Sequence, residues 1–134
     1  MDRGTVQRVT LAFGIVYLIV GVAGFIPGIA PPADEPGERV LLGLFEVNVL
    51  HNVAHLVLGA LLVIGGLVGD YVYTINRVLA VVFLLLFVGG FVPAFANLLA
   101  INAADTILHL VSVLLTGYLG FIVPRQVAAA RPRA

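Results

Sequence analysis

Four long stretches of this sequence contain no Asp, Glu, Lys or Arg, and they limit the fold more than any other feature. They cover residues 9–26, 47–69, 78–104 and 106–124. A helix rises about 1.5 Å per residue, so about 20 apolar residues cross the roughly 30 Å hydrocarbon layer of a bilayer. We therefore predict an all-α bundle of four transmembrane helices, near residues 8–27, 48–69, 76–94 and 102–124. Pro93 is expected to end the third helix, because proline interrupts helical hydrogen bonding.

The composition supports an integral membrane protein and excludes several classes of site. Hydrophobic residues make up 61% of the chain and charged residues 10%, whereas soluble domains carry about 25% charged residues. The net charge of zero gives no reason to expect nucleic acid as a partner. The chain has no cysteine, which rules out disulfides, thiolate metal sites and iron–sulfur clusters. Signatures of soluble enzymes, such as the P-loop and the nucleophile elbow, are absent, which favours a protein without enzymatic activity.

The arginines set the predicted orientation, because cytoplasmic segments of membrane proteins are enriched in Lys and Arg. Four spans place most of the basic residues on one side, namely Arg3, Arg8, Arg77, Arg125, Arg131 and Arg133. Arg39 alone falls on the other side. We therefore predict one membrane domain, 1–134, with both termini and the loop at Asp70 in the cytoplasm. The tail, 125–134, is then cytoplasmic and the loop 28–47 is outside, with its apolar second part on the membrane surface or packed onto the bundle.

An internal repeat is visible in the polar residues. The shift that places Asn48 on Asn102 also places His51 on Asp105 and His55 on His109. The preceding helices also end alike, in Gly-Phe-Ile-Pro at 24–27 and Gly-Phe-Val-Pro at 90–93. We interpret the chain as two tandem helical hairpins, about 8–69 and about 76–124. Both hairpins start on the same side, so a pseudo-two-fold axis along the membrane normal should relate them.

The repeated polar residues form a predicted cluster on two helices, because residues three and four apart share a helix face. The second helix contributes Asn48, His51, Asn52 and His55, and the fourth contributes Asn102, Asp105, His109, Ser112 and Thr116. Both first-turn asparagines suit the helix N-cap. The remaining groups can tie the helices together by hydrogen bonds. We therefore predict a structural, accessory or partner-binding subunit, associated with the lipid bilayer and with a second copy or another membrane protein.

Two other functions are compatible with the same residues. His51, His55, Asp105 and His109 could hold Zn²⁺ or Cu²⁺, since imidazole and carboxylate suit these ions, and a bis-histidine haem is a variant of that site. Alternatively, the cluster could belong to a small transporter or a proton-conducting element. Beyond Tyr17, the first and third helices have few polar residues at mid-depth, which argues against a continuous polar path across the membrane.

The run at 42–56, Leu-Gly-Leu-Phe-Glu-Val-Asn-Val-Leu-His-Asn-Val-Ala-His-Leu, resembles a bacterial family of four-helix membrane proteins, domain of unknown function 4383. The segments 102–110 and 24–28 are similar to two further motifs of that family, and the likeness covers residues 8 to about 120. Thr106 and Ile107 depart from it, since Asn and an aromatic residue are expected there. The resemblance implies a bacterial plasma-membrane protein and supplies no activity.

Overall fold

Each of the four apolar stretches forms a long helix in the computed structural model, which describes residues 1–130. The helices are α1 (Arg3–Ala23), α2 (Val49–Leu67), α3 (Val72–Gly89), α4 (Pro93–Leu99), α5 (Ala103–Gly117) and α6 (Val123–Ala129). A 3-10 turn, Gly69–Tyr71, precedes α3, and a π-helical turn, Tyr118–Ile122, joins α5 to α6. The predicted tail residues Arg131 and Arg133 lie outside the described part of the chain.

Four helical segments are long and apolar enough to cross a membrane: Arg3–Ala23, Val49–Leu67, Gly69–Gly89 and Ala103–Ala129. Many of their apolar side chains point away from the bundle; Ile19, Leu85 and Leu114 are each more than 60% exposed. Exposed apolar faces of this extent suit lipid rather than water. The prediction of a helical fold with four candidate spans is confirmed.

The ends of α3 and α4 correct one sequence prediction. Pro93 does not end the third long helix, which stops at Gly89; it lies in the first turn of α4 instead. Proline is favoured there, because the first amides of a helix have no intrahelical partner and the proline φ is already helical. The predicted third span, 76–94, was therefore placed too late at both ends.

The loop between α1 and α2 contains a β-hairpin that was not predicted. Strand β1 (Arg39–Leu41) pairs antiparallel with β2 (Phe45–Val47). Leu41 and Val47 are buried beside Ala30, with Val20 and Ala23 of α1 packed against them. The apolar part of the loop thus packs onto the bundle, as one of the two sequence alternatives had it. The end of the bundle where α2 and α5 begin is called the hairpin end below.

Glycines bring the helices of each pair close together. An added Cβ on Gly14 would lie 2.7 Å from Val63 N and 2.9 Å from Gly59 O, so α1 and α2 are in contact along their backbones. Gly120 plays the same part between the π-helical turn and α3, since its Cβ would lie 2.7 Å from Arg77 N. Small residues permit such approach in a bilayer, where packing rather than exclusion of water drives helix association.

Two apolar clusters fill the space between the helix pairs. The middle cluster consists of Tyr17, Leu58, Leu62, Leu79 and Phe83. A second cluster, of Val6, Val72, Leu119 and Val123, lies at the opposite end from the hairpin. That opposite end, called the arginine end below, also carries an ion pair between Arg3 and Asp70. There Asp2 caps α1 by accepting a hydrogen bond from Thr5 N, which lowers the pKa of the Asp2 carboxyl.

Candidate functional site

Two asparagines fix the first turns of α2 and α5 at the hairpin end. Asn48 Oδ1 accepts from His51 N at 2.9 Å, and Asn102 Oδ1 accepts from Asp105 N at 3.1 Å. Asp105 Oδ2 accepts in return from Asn102 N at 3.2 Å, which completes a capping box. These bonds satisfy amides that a helix leaves free at its start. Capping therefore fixes the positions from which His51 and Asp105 enter the bundle.

The same asparagines also join the two halves of the chain through their amide nitrogens. Asn48 Nδ2 donates to Leu98 O at 3.0 Å, and Asn102 Nδ2 donates to Leu44 O at 2.9 Å. The shift that places Asn48 on Asn102 also places Leu44 on Leu98, so donors and acceptors occupy corresponding positions under this shift. We call this pair the reciprocal asparagine bonds. Each half thus provides one donor and one acceptor at corresponding positions.

His51 and Asp105 meet between α2 and α5. His51 Nδ1 lies 2.8 Å from Leu99 O. A carbonyl oxygen only accepts, so Nδ1 carries the hydrogen, and the neutral ring then presents Nε2 as an acceptor. Nε2 lies 3.7 Å from Asp105 Oδ1, beyond hydrogen-bond range, with both side chains almost fully buried. The lone pair of His51 Nε2 therefore faces Asp105 Oδ1.

The other two histidines flank this pair. The ring centres of His51 and His55 are 4.7 Å apart, and those of His51 and His109 are 6.4 Å apart. His55 Nε2 and His109 Nδ1 are buried without a hydrogen-bond partner in the described residues. The structure thus brings together all four residues predicted as metal ligands, which we call the histidine cluster. Within residues 1–130 no three His, Asp or Glu side chains are arranged to hold a metal ion as they stand, and the metal site stays a prediction.

Two cavities adjoin the histidine cluster. A small one of about 10 Å³ is lined by the three histidines together with Ala54, Leu58, Leu86, Leu99 and Ile101. This volume holds about one water molecule, and a haem does not fit it. A larger pocket of about 440 Å³ is lined by Glu35, Glu38, Glu46, Ala96, Asn97, Ala100 and Ile101. Ile101 belongs to both walls and separates the acidic pocket from the small cavity.

Tyr17 connects the cluster to the middle of α5. Its ring stacks on His55 with centres 4.8 Å apart, and its hydroxyl lies 2.6 Å from Ser112 Oγ. Ser112 Oγ is 2.8 Å from Leu108 O and Thr116 Oγ1 is 2.6 Å from Ser112 O, so both hydroxyls donate to the backbone of their own helix. Ser112 therefore accepts the Tyr17 hydrogen. Ser112 and Thr116, two of the predicted cluster members, thus donate within α5, and Ser112 also accepts from α1.

A family model described as "Domain of unknown function (DUF4383)" matches residues 7–122. The chain belongs to this family. The matched region contains the whole histidine cluster and both capping asparagines, and the family description assigns no activity. No curated protein and no solved structure matches the chain significantly.

Two polar contacts of this DUF4383 protein differ from what its sequence suggested. Asn52 packs against the end of α1, where a Cβ on Gly24 would overlap its amide, rather than joining the cluster face. Nearer the arginine end, Asn76 Nδ2 donates to Thr10 Oγ1 at 2.8 Å, and both side chains are fully buried. The first and third long helices therefore carry a polar contact in addition to Tyr17. The sequence did not indicate this contact, because a single Thr and a single Asn far apart in the chain form no recognisable motif.

Proposed function

We propose that this protein is a structural or accessory subunit of the bacterial plasma membrane, in which polar contacts near the outer face hold two helical hairpins together. The reciprocal asparagine bonds carry the proposal. Both termini lie in the cytoplasm in this arrangement, and the hairpin end faces outward. The exposed apolar faces contact lipid and a membrane partner, either a second copy of the chain or another membrane protein.

The polar contacts at and near the hairpin end join the first half of the chain to the second. Besides the asparagine bonds, His51 bonds Leu99 O and Tyr17 bonds Ser112. Interhelical hydrogen bonds in a membrane contribute about 0.6–2 kcal/mol each. Several such hydrogen bonds suit a protein that keeps a fixed shape in the bilayer.

The spacing of residues in contact supports two tandem hairpins. Thr10 and Asn76 are 66 residues apart, as are Val6 and Val72, which share one apolar cluster. The repeated Gly-Phe-Ile/Val-Pro endings, 24–27 and 90–93, have the same spacing. The second helices of the hairpins are separated by a shorter step, that from Asn48 to Asn102. The difference corresponds to a longer connection in the first hairpin, where the β-strands lie.

The asparagine bonds can be tested by thermal unfolding in mild detergent. Asn48→Ala and Asn102→Ala each remove a cap and an interhelical bond, so each should lower the free energy of unfolding by about 1–3 kcal/mol. The two losses should be similar, because the bonds are reciprocal. Asn97→Ala, which changes an exposed amide outside these bonds, is the matched control.

Unfolding should be compared with and without a chelator. The proposal requires that the loss be the same in both conditions, since no metal takes part in these bonds. A double variant, Asn48→Ala with Asn102→Ala, that unfolds like the wild type would contradict the proposal.

A further inference from the structure

The histidine cluster contains polar atoms that the structural role leaves without a partner. His51 Nε2 and Asp105 Oδ1 lie 3.7 Å apart, beyond hydrogen-bond range, and His55 Nε2 and His109 Nδ1 have no partner among the described residues. Buried polar atoms are rarely left unpaired, because losing water without gaining a partner costs free energy. Two nitrogens without a partner, beside a buried imidazole and a buried carboxyl group, are ligand atoms that a cation could share.

We propose that His51, His55, Asp105 and His109 bind a single Zn²⁺ ion that enters from the acidic pocket. Zinc prefers imidazole nitrogen and carboxylate oxygen, in a tetrahedral arrangement of four ligands. The site uses none of the atoms of the reciprocal asparagine bonds, and Asp105 Oδ2 keeps its capping hydrogen bond from Asn102 N.

The distances lie within reach of one ion. Bonds of about 2 Å from zinc to nitrogen and oxygen place two ligand atoms about 3–4 Å apart, and two ligand ring centres about 5–6 Å apart. His51 Nε2 and Asp105 Oδ1 are 3.7 Å apart, and the ring centres are at 4.7 and 6.4 Å. Because no three side chains in residues 1–130 surround a common point as they stand, the rings of His55 and His109 must turn toward the ion. In the proposed arrangement both rings turn toward the small cavity that they line.

Backbone groups already orient two of the four ligands. The His51 ring is held by its Nδ1 hydrogen bond to Leu99 O, and the Asp105 carboxylate is held by Asn102 N. Metal-bound histidines commonly donate their second ring nitrogen to a carbonyl in this way, which fixes the tautomer that leaves the other nitrogen free. The free atoms, His51 Nε2 and Asp105 Oδ1, are the pair that face each other.

The acidic pocket supplies a route for a cation. Glu35, Glu38 and Glu46 line it, and Ile101 belongs to both this pocket and the small cavity. Several negatively charged carboxylates in a concave site raise the local concentration of cations. Movement of the Ile101 side chain would connect the pocket to the histidines.

Zinc binding is measured on protein purified without a histidine tag, incubated with Zn²⁺ and freed of excess metal before elemental analysis. The wild type should retain about one zinc per chain, and zinc should raise its unfolding temperature, because a ligand of the folded state stabilises it. His55→Ala with His109→Ala should weaken binding at least about 100-fold, since changes even outside the ligand set typically cost 10–100-fold. Gln126→Ala, which changes an exposed amide in α6, should bind like the wild type.

A second measurement does not depend on whether the double variant folds. Cu²⁺ is loaded into the wild type in place of zinc, and electron paramagnetic resonance is recorded. All three histidines of the chain lie in the cluster, so nitrogen hyperfine splitting from imidazole would assign the ion to this site. Metal retention near zero in the wild type, or bound copper without nitrogen splitting, would overturn the proposal. Neither result would affect the asparagine bonds, which are tested by unfolding without metal.

Discussion

The close approach of α1 to α2 at Gly14 depends on glycine having no side chain. The nearest atoms to an added Cβ are backbone atoms of α2 and the Cβ of Leu62, within 2.9 Å. Backbone atoms cannot turn aside as a flexible side chain can, so the helices would have to move apart. Tyr17, about one turn further along α1, would then lose its fit against Ser112.

Gly14→Ala should therefore lower the free energy of unfolding by about 1–3 kcal/mol, the usual cost of overpacking. Gly117→Ala is the control, because Gly117 is helical and nothing lies within 4 Å of its added Cβ. It should be neutral or stabilising by up to about 1 kcal/mol, since alanine favours a helix over glycine. Both changes are measured by thermal unfolding in detergent. Equal destabilisation by the two would show that the loss does not come from contact between α1 and α2.

Residue-level prediction from the sequence worked where a local rule applied. Asn48 and Asn102 were expected at N-caps because each precedes an apolar run and has a short side chain that accepts from first-turn amides, and both occupy that position. The contact between Asn76 and Thr10 was not expected, because the rotation of one helix against another depends on all the packing between them. The direction of Asn52 toward Gly24 was missed for the same reason.

Among the elements, the β1–β2 hairpin has a turn that its sequence does not favour. Leu42 has φ 54° and Gly43 has φ 69°, so two successive residues lie in the left-handed region. Glycine adopts this conformation readily, whereas leucine is rarely found there. The Leu42 side chain is also 72% exposed, so packing in the described residues does little to offset the strain.

Leu42→Asn should stabilise the protein by about 0.5–1 kcal/mol, because asparagine followed by glycine suits two positive φ values. The unfolding temperature in detergent should rise slightly, while Leu44→Asn, in the same loop, provides the comparison at a residue without positive φ. A lower unfolding temperature for Leu42→Asn would mean that the leucine contributes through contact with lipid or a partner.

The long helices and the short elements differ in how far the sequence predicts them. Hydropathy over about 20 residues identifies a span, because the bilayer thickness imposes its length. Strands β1 and β2 contain three residues each and α4 contains seven, too few for a periodic pattern to be distinguished. Their positions depend on contact with the long helices, which the local sequence does not encode.

For the whole molecule, the proposed orientation in the membrane follows from where the arginines lie. Arg3 pairs with Asp70 at the arginine end, and Arg77 donates to Gly120 O at 2.7 Å near the same end. Glu35 and Glu38 lie at the hairpin end. A negative inside potential and the insertion machinery both favour arginines on the cytoplasmic side.

Because the chain has no cysteine, single cysteines can report this orientation directly. In intact cells, Glu35→Cys should react with a membrane-impermeant maleimide, and Asp70→Cys should react only after the membrane is permeabilised. The Arg3–Asp70 pair is solvent-exposed, so its loss should have little effect on folding. Labelling of Asp70→Cys in intact cells would contradict the cytoplasmic placement of the arginine end.

Two copies of a single helical hairpin, related by a two-fold axis, would make the same pair of bonds that Asn48 and Asn102 make within this chain. The two tandem hairpins that we propose therefore imply that a homodimer of one hairpin preceded duplication and fusion. After fusion each half mutates alone, because equivalent positions no longer share one codon. His51 and Asp105 are such a pair: an imidazole faces a carboxylate where a homodimer would place two identical groups. Covalent fusion thus permits unlike groups to meet across an interface whose remaining bonds stay symmetric.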